Sequence, residues 1–215
     1  MTAAADSPIA PSDVLGYWFR DPPFDATAAM PWMRRWFQGG PEVDREIVAR
    51  FAAPVEAAIA GGFPTWEAEP RDRLALVIML DQFTRNVFRE DPRTFAGDPR
   101  AQRLAVDALD RGLDRPLSFW ERLFLGMPLR HAEDAALQRR GLAQARQLGE
   151  ECPPALGTIA AMSVEQSEKY LGIVQRFGRF PHRNEALGRI STPEEEAFLV
   201  DWAEKQPPRG MPPER

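Results

Sequence analysis

The chain has 215 residues, 44% of them hydrophobic and 27% charged, with a formal net charge of −5 and one cysteine, Cys152. A chain of this length buries a core without staples, and one cysteine excludes an intrachain disulfide framework and a thiolate-rich zinc site. The negative balance argues against a nucleic-acid partner held by a dominant basic surface, and the longest apolar run, Leu74 to Leu80, is far too short to span a bilayer.

Residues 1–10 carry an early acid, Asp6, and no basic stretch, so a flexible tail is expected there rather than a secretory signal, and the cytoplasm is the expected location. Ser12 is placed to cap a first helix whose stripe is Val14, Leu15, Trp18 and Phe19. Pro41 opens a second, with Ile47, Phe51, Val55 and Ile59 on one face and Gly61-Gly62 as its stop. Arg71 to Phe88 is the strongest helix, apolar nearly all round at its start and so expected at the centre. Asp98-Pro99 starts a helix that runs through Leu104, Ala105, Ala108 and Leu109 to Gly112. Ser118-Phe119-Trp120-Glu121 and Thr192-Pro193-Glu194-Glu195 both fit the capping box, in which a hydroxyl and a glutamate satisfy backbone donors reciprocally. Helical periods also cover Glu133 to Leu148 and about Leu156 to Phe177, and no alternating β-branched run appears. The expectation is one all-α domain over 11–206, stacked antiparallel helices joined by short loops, followed by a proline-rich flexible tail at 207–215. No strict repeat near 34 residues is visible.

Three polar stretches interrupt this pattern. In the first, Asp81, Arg85 and Arg89 are spaced i, i+4, i+8 on the most apolar helix, with Asn86 beside them. They read either as a buried ion pair that fixes helix register or as a cleft wall offering donors to an anion. In the second, His131 follows Arg130 and precedes Glu133 and Asp134. The pattern fits a general base oriented by an acid, part of a site for a hard metal ion, or two first-turn carboxylates favoured by the helix dipole beside a surface or interface histidine. The third runs from Gln175 to Asn184 and continues to Gly188-Arg189. Gly178 can end the long helix, Pro181 forbids its continuation, and Asn184 can cap a short one. Arg179, His182 and Arg183 then crowd into one turn with two aromatics, a donor set that suits a carboxylate or phosphate, or a rigid corner paired to carboxylates elsewhere.

No GxGxxG, Walker-type, GxSxG or HExxH motif is present, and the two histidines are too few for a His-rich metal site. Leu80-Asp81-Gln82-Phe83 with Arg85-Asn86-Val87-Phe88-Arg89, His131 with Glu133-Asp134, and the FGRFPHRN stretch from Phe177 to Asn184 closely resemble the bacterial domain-of-unknown-function family 924, over about Val14 to Leu199. The resemblance implies a tetratricopeptide-like right-handed helical array and assigns no activity. This chain departs from the family pattern at Thr84, where proline is usual, at Ala132, where serine is usual, and at Tyr170, where histidine is common.

The leading expectation is a ligand-binding domain with one polar cleft for a small anion or a peptide carboxylate. Arg85, Arg179 and Arg183 bind it, Asn86, Asn184 and His182 add donors, and Trp or Phe side chains wall it. One alternative is a hydrolase-type enzyme in which His131 or His182 is the acid/base, oriented by Asp81, Glu133 or Asp134. Another is a scaffold that holds a partner helix or peptide. Neither a metal nor another cofactor is expected, nor a nucleic-acid or membrane partner.

Overall fold

The structure, a computed structural model, describes residues 9–19, 26–37, 39–89 and 91–205, so all but two residues of the expected tails lie outside it. Every regular element among the described residues is helical. Helix α1 (Pro11–Phe19) buries the expected stripe, but its start is held by Asp13, which accepts the Ala10 N–H at 2.8 Å, and not by Ser12. The sequence reading has no helix at α2 (Ala26–Phe37), whose Trp36 donates its indole N–H to the Trp18 carbonyl at 2.9 Å. Helix α3 (Pro41–Ile59) buries Ile47, Phe51 and Val55, as its spacing predicts.

The central helix is not uniform. It runs as α4 (Pro70–Val77), widens into a π-helical segment (Ile78–Phe83) and closes as α5 (Thr84–Val87). Leu74 to Leu80 are all at most 1% exposed. Each such Leu, Ile or Val contributes roughly 1.5–3 kcal/mol of transfer free energy, which fixes this helix as the middle of the fold. In the widened turn the Thr84 N–H reaches the Met79 carbonyl, and the Thr84 hydroxyl donates to the Leu80 carbonyl at 2.9 Å.

Gly97, which precedes α6 (Asp98–Asp110), rests on this same turn, where a Cβ would lie 2.1 Å from the Leu80 oxygen. Only glycine brings the start of α6 this close. Helices α6, α7 (Phe119–Arg130), α8 (Ala135–Glu151) and α9 (Gly157–Phe177) then pack as successive neighbours. Both halves of the capping box at Ser118 and Glu121 are present. Gly178, at φ 71°, ends α9 with its N–H on the Val174 carbonyl, and α10 (Pro193–Lys205) follows the second capping box. Trp18, from an aromatic core with Phe83 and Phe124, and Tyr170 and Phe180, from a smaller cluster with Trp202, line one and the same cavity. No helix among the described residues is long and apolar enough to cross a membrane.

Candidate functional site

The site is built from the π-helical turn outward. Asp81 is fully buried, and a carboxylate there is tolerable only with partners. Gln82 donates to Oδ2 at 2.5 Å, His131 Nδ1 lies 2.7 Å from Oδ1, and Arg85 lies 3.4 Å from Oδ1. Because a carboxylate only accepts, the His131 proton on that side sits on Nδ1 and Nε2 is left as the lone-pair nitrogen. Burial acts to raise the Asp81 pKa, but the contact with His131, the charge of Arg85 and the Gln82 hydrogen bond overcome it, so the group stays ionised. Burial pushes the His131 pKa below its ordinary value and Arg85 adds to this, with Asp81 opposing. The pair therefore rests as carboxylate and neutral imidazole near neutral pH.

Asp98 is the second buried carboxylate. Arg85 donates to its Oδ2 at 3.1 Å and Arg183 to the same oxygen at 3.2 Å. Arg183 also donates to the His131 carbonyl at 2.9 Å, so the three polar stretches meet here. Burial pushes the Arg183 pKa down, with Asp98 opposing. Its guanidinium lies over the rings of Phe95 and Phe180, at 4.4 and 4.9 Å, a partly desolvated cation–π arrangement.

These groups edge a cavity of about 400 Å³, within the usual span of roughly 300–1,000 Å³ for small-molecule sites. Arg85, Arg89, Arg130, Arg183, His131 and His182 line it, and among the described residues no carboxylate does. Behind the lining, Asp81 and Asp98 serve Arg85 and Arg183, and Asp44 pairs with Arg89 at 2.5 Å. Three carboxylates thus back four arginines, and the remaining charge belongs to Arg130. Arg130 is only 8% exposed. Among the described residues no carboxylate lies within ion-pair distance of it; its partners are the Ser163 hydroxyl, at 3.2 Å, and the weakly accepting Met127 sulfur. Burial pushes its pKa down, opposed by Tyr170 and Asp81. Among the described residues, the charge at the cleft is therefore positive on balance.

The structure separates the residues singled out in the sequence. Arg85, Asn86, His131, His182 and Arg183 line the cavity, and Asp81 lies directly behind His131. Arg89 does not share a face with Asp81: it falls beyond the end of α5 and turns with Asn86 to Asp44, which accepts from Asn86 at 2.8 Å. His182 is exposed and stacks on Trp202 at 5.0 Å. The rest hold the loop. Arg179 grips Glu195 at 2.7 and 2.8 Å, and Glu133 grips Arg189 at 2.6 and 2.8 Å while accepting the Phe180 N–H. Asp134 caps α8 by accepting from Ala136 and Leu137. Asn184 is buried and starts no helix, following instead the short 3-10 turn Pro181–Arg183; it accepts from Arg189 and donates to Ser191, each at 3.0 Å. Among the described residues no three His, Cys, Asp or Glu side chains gather where they could hold a metal ion.

Sequence reasoning passed over Arg130, named beside His131 but not placed in the site, and Asp98, read only as a helix start. The available signal was chemical: Arg130 follows the apolar run Leu123 to Leu129 directly, at the end of its helix.

An all-α domain with an arginine-lined cleft over a buried Asp–His pair is the class of protein that fold and site define. The chain belongs to the family of bacterial proteins of unknown function, DUF924, whose pattern matches residues 14–202. It is also similar to a solved structure, that of the protein of unknown function ATU0120 from Agrobacterium tumefaciens, at 34% identity and a TM-score of 0.74, covering 89% of this chain and 97% of that one. No curated protein matches the chain. Tyr170 lines the cavity, with its ring 5.5 Å from Phe180.

Proposed function

We propose that the cleft binds a small anion, a carboxylate (free or at a peptide terminus) or a phosphate group, in a cytoplasmic protein whose helix stack is tetratricopeptide-like. The observation that carries this reading is Arg130: a buried, cavity-lining guanidinium without a carboxylate partner among the described residues. An isolated buried charge costs several kcal/mol, and a bound anion offsets that cost. Arg85 and Arg183 are already shared with Asp81 and Asp98, so they add field and hydrogen bonds to an anion whose main partner is Arg130. Arg179 and Asn184 hold the loop that presents Arg183. The test is a thermal-shift screen of wild type and Arg130→Met against phosphate, acetate and larger carboxylates and phosphates. Ligands that bind only the folded state raise its stability. Wild type is expected to be stabilised and Arg130→Met not; equal responses in both proteins remove Arg130 from the site.

A second reading, a hydrolase-type enzyme, is favoured by the 2.7 Å contact between His131 and Asp81 at the cavity wall. Asp81 fixes the tautomer, and neutral Nε2 is the nitrogen available to take a proton from water. Turnover of anionic aryl esters would then fall on the acid side as His131 protonates and vanish in His131→Gln, with anion binding retained. No turnover above background between about pH 5 and 9 rejects this reading and leaves the binding site standing.

A further inference from the structure

Asp81 does more than carry charge, because it sorts the polar ends of its neighbours. A carboxylate accepts and never donates, so a side chain with both kinds of polar atom must spend a donor on it and keep its acceptor. His131 gives its Nδ1–H to Oδ1 at 2.7 Å, and Gln82 gives an amide N–H to Oδ2 at 2.5 Å. What is left over is the Nε2 lone pair of His131 and the Oε1 carbonyl of Gln82, and both residues line the cavity. Among the described residues no donor bonds to either atom, and neither is sealed inside the core. A cleft with four arginines in its lining thus also presents two acceptors. A bare phosphate or carboxylate serves only part of this arrangement. Its oxygens are acceptors themselves, so beside Nε2 and Oε1 they meet lone pairs, and a ligand that displaces water there leaves acceptors unpaired at a cost comparable to a lost hydrogen bond. A donor on the ligand removes the conflict. An ammonium is a poor one: the Arg85 guanidinium sits on the same Asp81 oxygen as the imidazole, at 3.4 Å against 2.7 Å, and Arg183 donates to the His131 carbonyl at 2.9 Å, so a further cation is repelled. A hydroxyl donates without charge.

We propose that the ligand of this cleft is a hydroxylated small anion, a hydroxy carboxylate or a polyol or sugar phosphate, whose anionic end pairs with Arg130 and whose hydroxyls donate to His131 Nε2 and Gln82 Oε1. The proposal rests on the anion-binding reading above and adds the ligand's neutral half. The two ends border one buried group: burial, the main influence on the charge of Arg130, is opposed by Tyr170 and by the same Asp81 that holds His131 and Gln82. A site built to hydrogen-bond a hydroxyl selects against the analogue that lacks it, because its own polar atoms are then left unpaired. The carboxylate and phosphate forms share this chemistry and separate by titration.

Isothermal titration with propanoate and glycerate, with propyl phosphate and glycerol phosphate, and with neutral glycerol, on wild type, Gln82→Met, His131→Phe and Arg130→Met, tests it. The readout is the affinity of each hydroxylated anion relative to its parent within one protein, a ratio that a merely structural change does not move. In wild type at least one pair is expected to show a ratio of about tenfold or more, the scale of two net hydrogen bonds, and the pair that shows it tells carboxylate from phosphate. Glycerol is expected to bind more weakly than either hydroxylated anion. Gln82→Met and His131→Phe, each checked for folding by circular dichroism, are each expected to lose most of the ratio; where His131→Phe does not fold, Gln82→Met decides alone. Arg130→Met is expected to weaken every anion, hydroxylated or not. If neither pair shows the ratio in wild type, or a folded Gln82→Met or His131→Phe keeps all of it, the hydroxylated ligand is overturned while the anion site stands. If no anion binds wild type, or glycerol binds as tightly as the hydroxylated anions, the anion-binding reading fails and takes this proposal with it.

Discussion

Asp81 is the residue on which the site turns, because it is the fully buried charge of the central helix and orients both Arg85 and His131. Asp81→Ala leaves Arg85 with Asp98 alone and the buried His131 Nδ1–H without its acceptor, so urea unfolding is expected to show a loss of about 3–5 kcal/mol. A loss below about 0.5 kcal/mol, the scale of ordinary surface changes, would contradict its burial. The arginines behave differently from one another for the same reason. Arg183→Ala leaves Asp98 with Arg85 alone and is expected to destabilise by about 1–3 kcal/mol. Arg130→Met leaves no carboxylate unpaired and is expected to stay within about 1 kcal/mol of wild type, or to be more stable. From sequence, Arg179 and Arg183 look alike, two arginines in one turn. Their partners, Glu195 and Asp98, lie 16 and 85 positions away, and only the folded chain shows that one staples a loop while the other faces the cleft.

At the scale of elements, two devices place these residues. The first is the π-helical turn, which offsets the ladder at Asp81 and receives Gly97 against the Leu80 carbonyl. Gly97→Ala would drive a Cβ into that backbone oxygen, so a loss of roughly 1–3 kcal/mol or more is expected on denaturation, with Asp98 displaced from Arg85. An alanine variant as stable as wild type would show that the turn yields. A 3.6-residue period gives no sign of a widened turn, which is why Arg89 was expected on the Asp81 face and is found on Asp44. The second device is the loop between α9 and α10, whose helix stop at Gly178 and capping box at Thr192 were legible from residue type alone. Glu195 closes that box and also holds Arg179, and the Arg179 hydrogen bond, followed by the Thr192 backbone, lowers its pKa from 4.5 to about 2. A carboxylate depressed on folding contributes stability above its unfolded pKa and loses it as pH falls toward the folded one. The Glu195 contribution is therefore complete above about pH 5 and drains away toward pH 2. Thermal melts of Glu195→Gln are expected to differ from wild type near neutrality and to converge with it in acid; a constant gap across that window would assign the loss to shape instead.

For the whole molecule, helical periods, proline starts and glycine stops were enough to read an all-α chain, with α2 the one helix that carried no such signal. The convergence of the polar stretches was not legible, because it depends on how α5, α7 and the loop after α9 meet between the two aromatic clusters. That meeting is what creates a cavity lined by arginines and, among the described residues, by no carboxylate. The most direct measurement is a crystal of the protein soaked in selenate, a heavy oxyanion whose position is read from anomalous scattering. The expected result is a strong peak inside the cleft, within hydrogen-bond distance of the Arg130 guanidinium and near Arg183. Peaks confined to surface arginines such as Arg93 and Arg176, with the cleft left to water, would contradict the account.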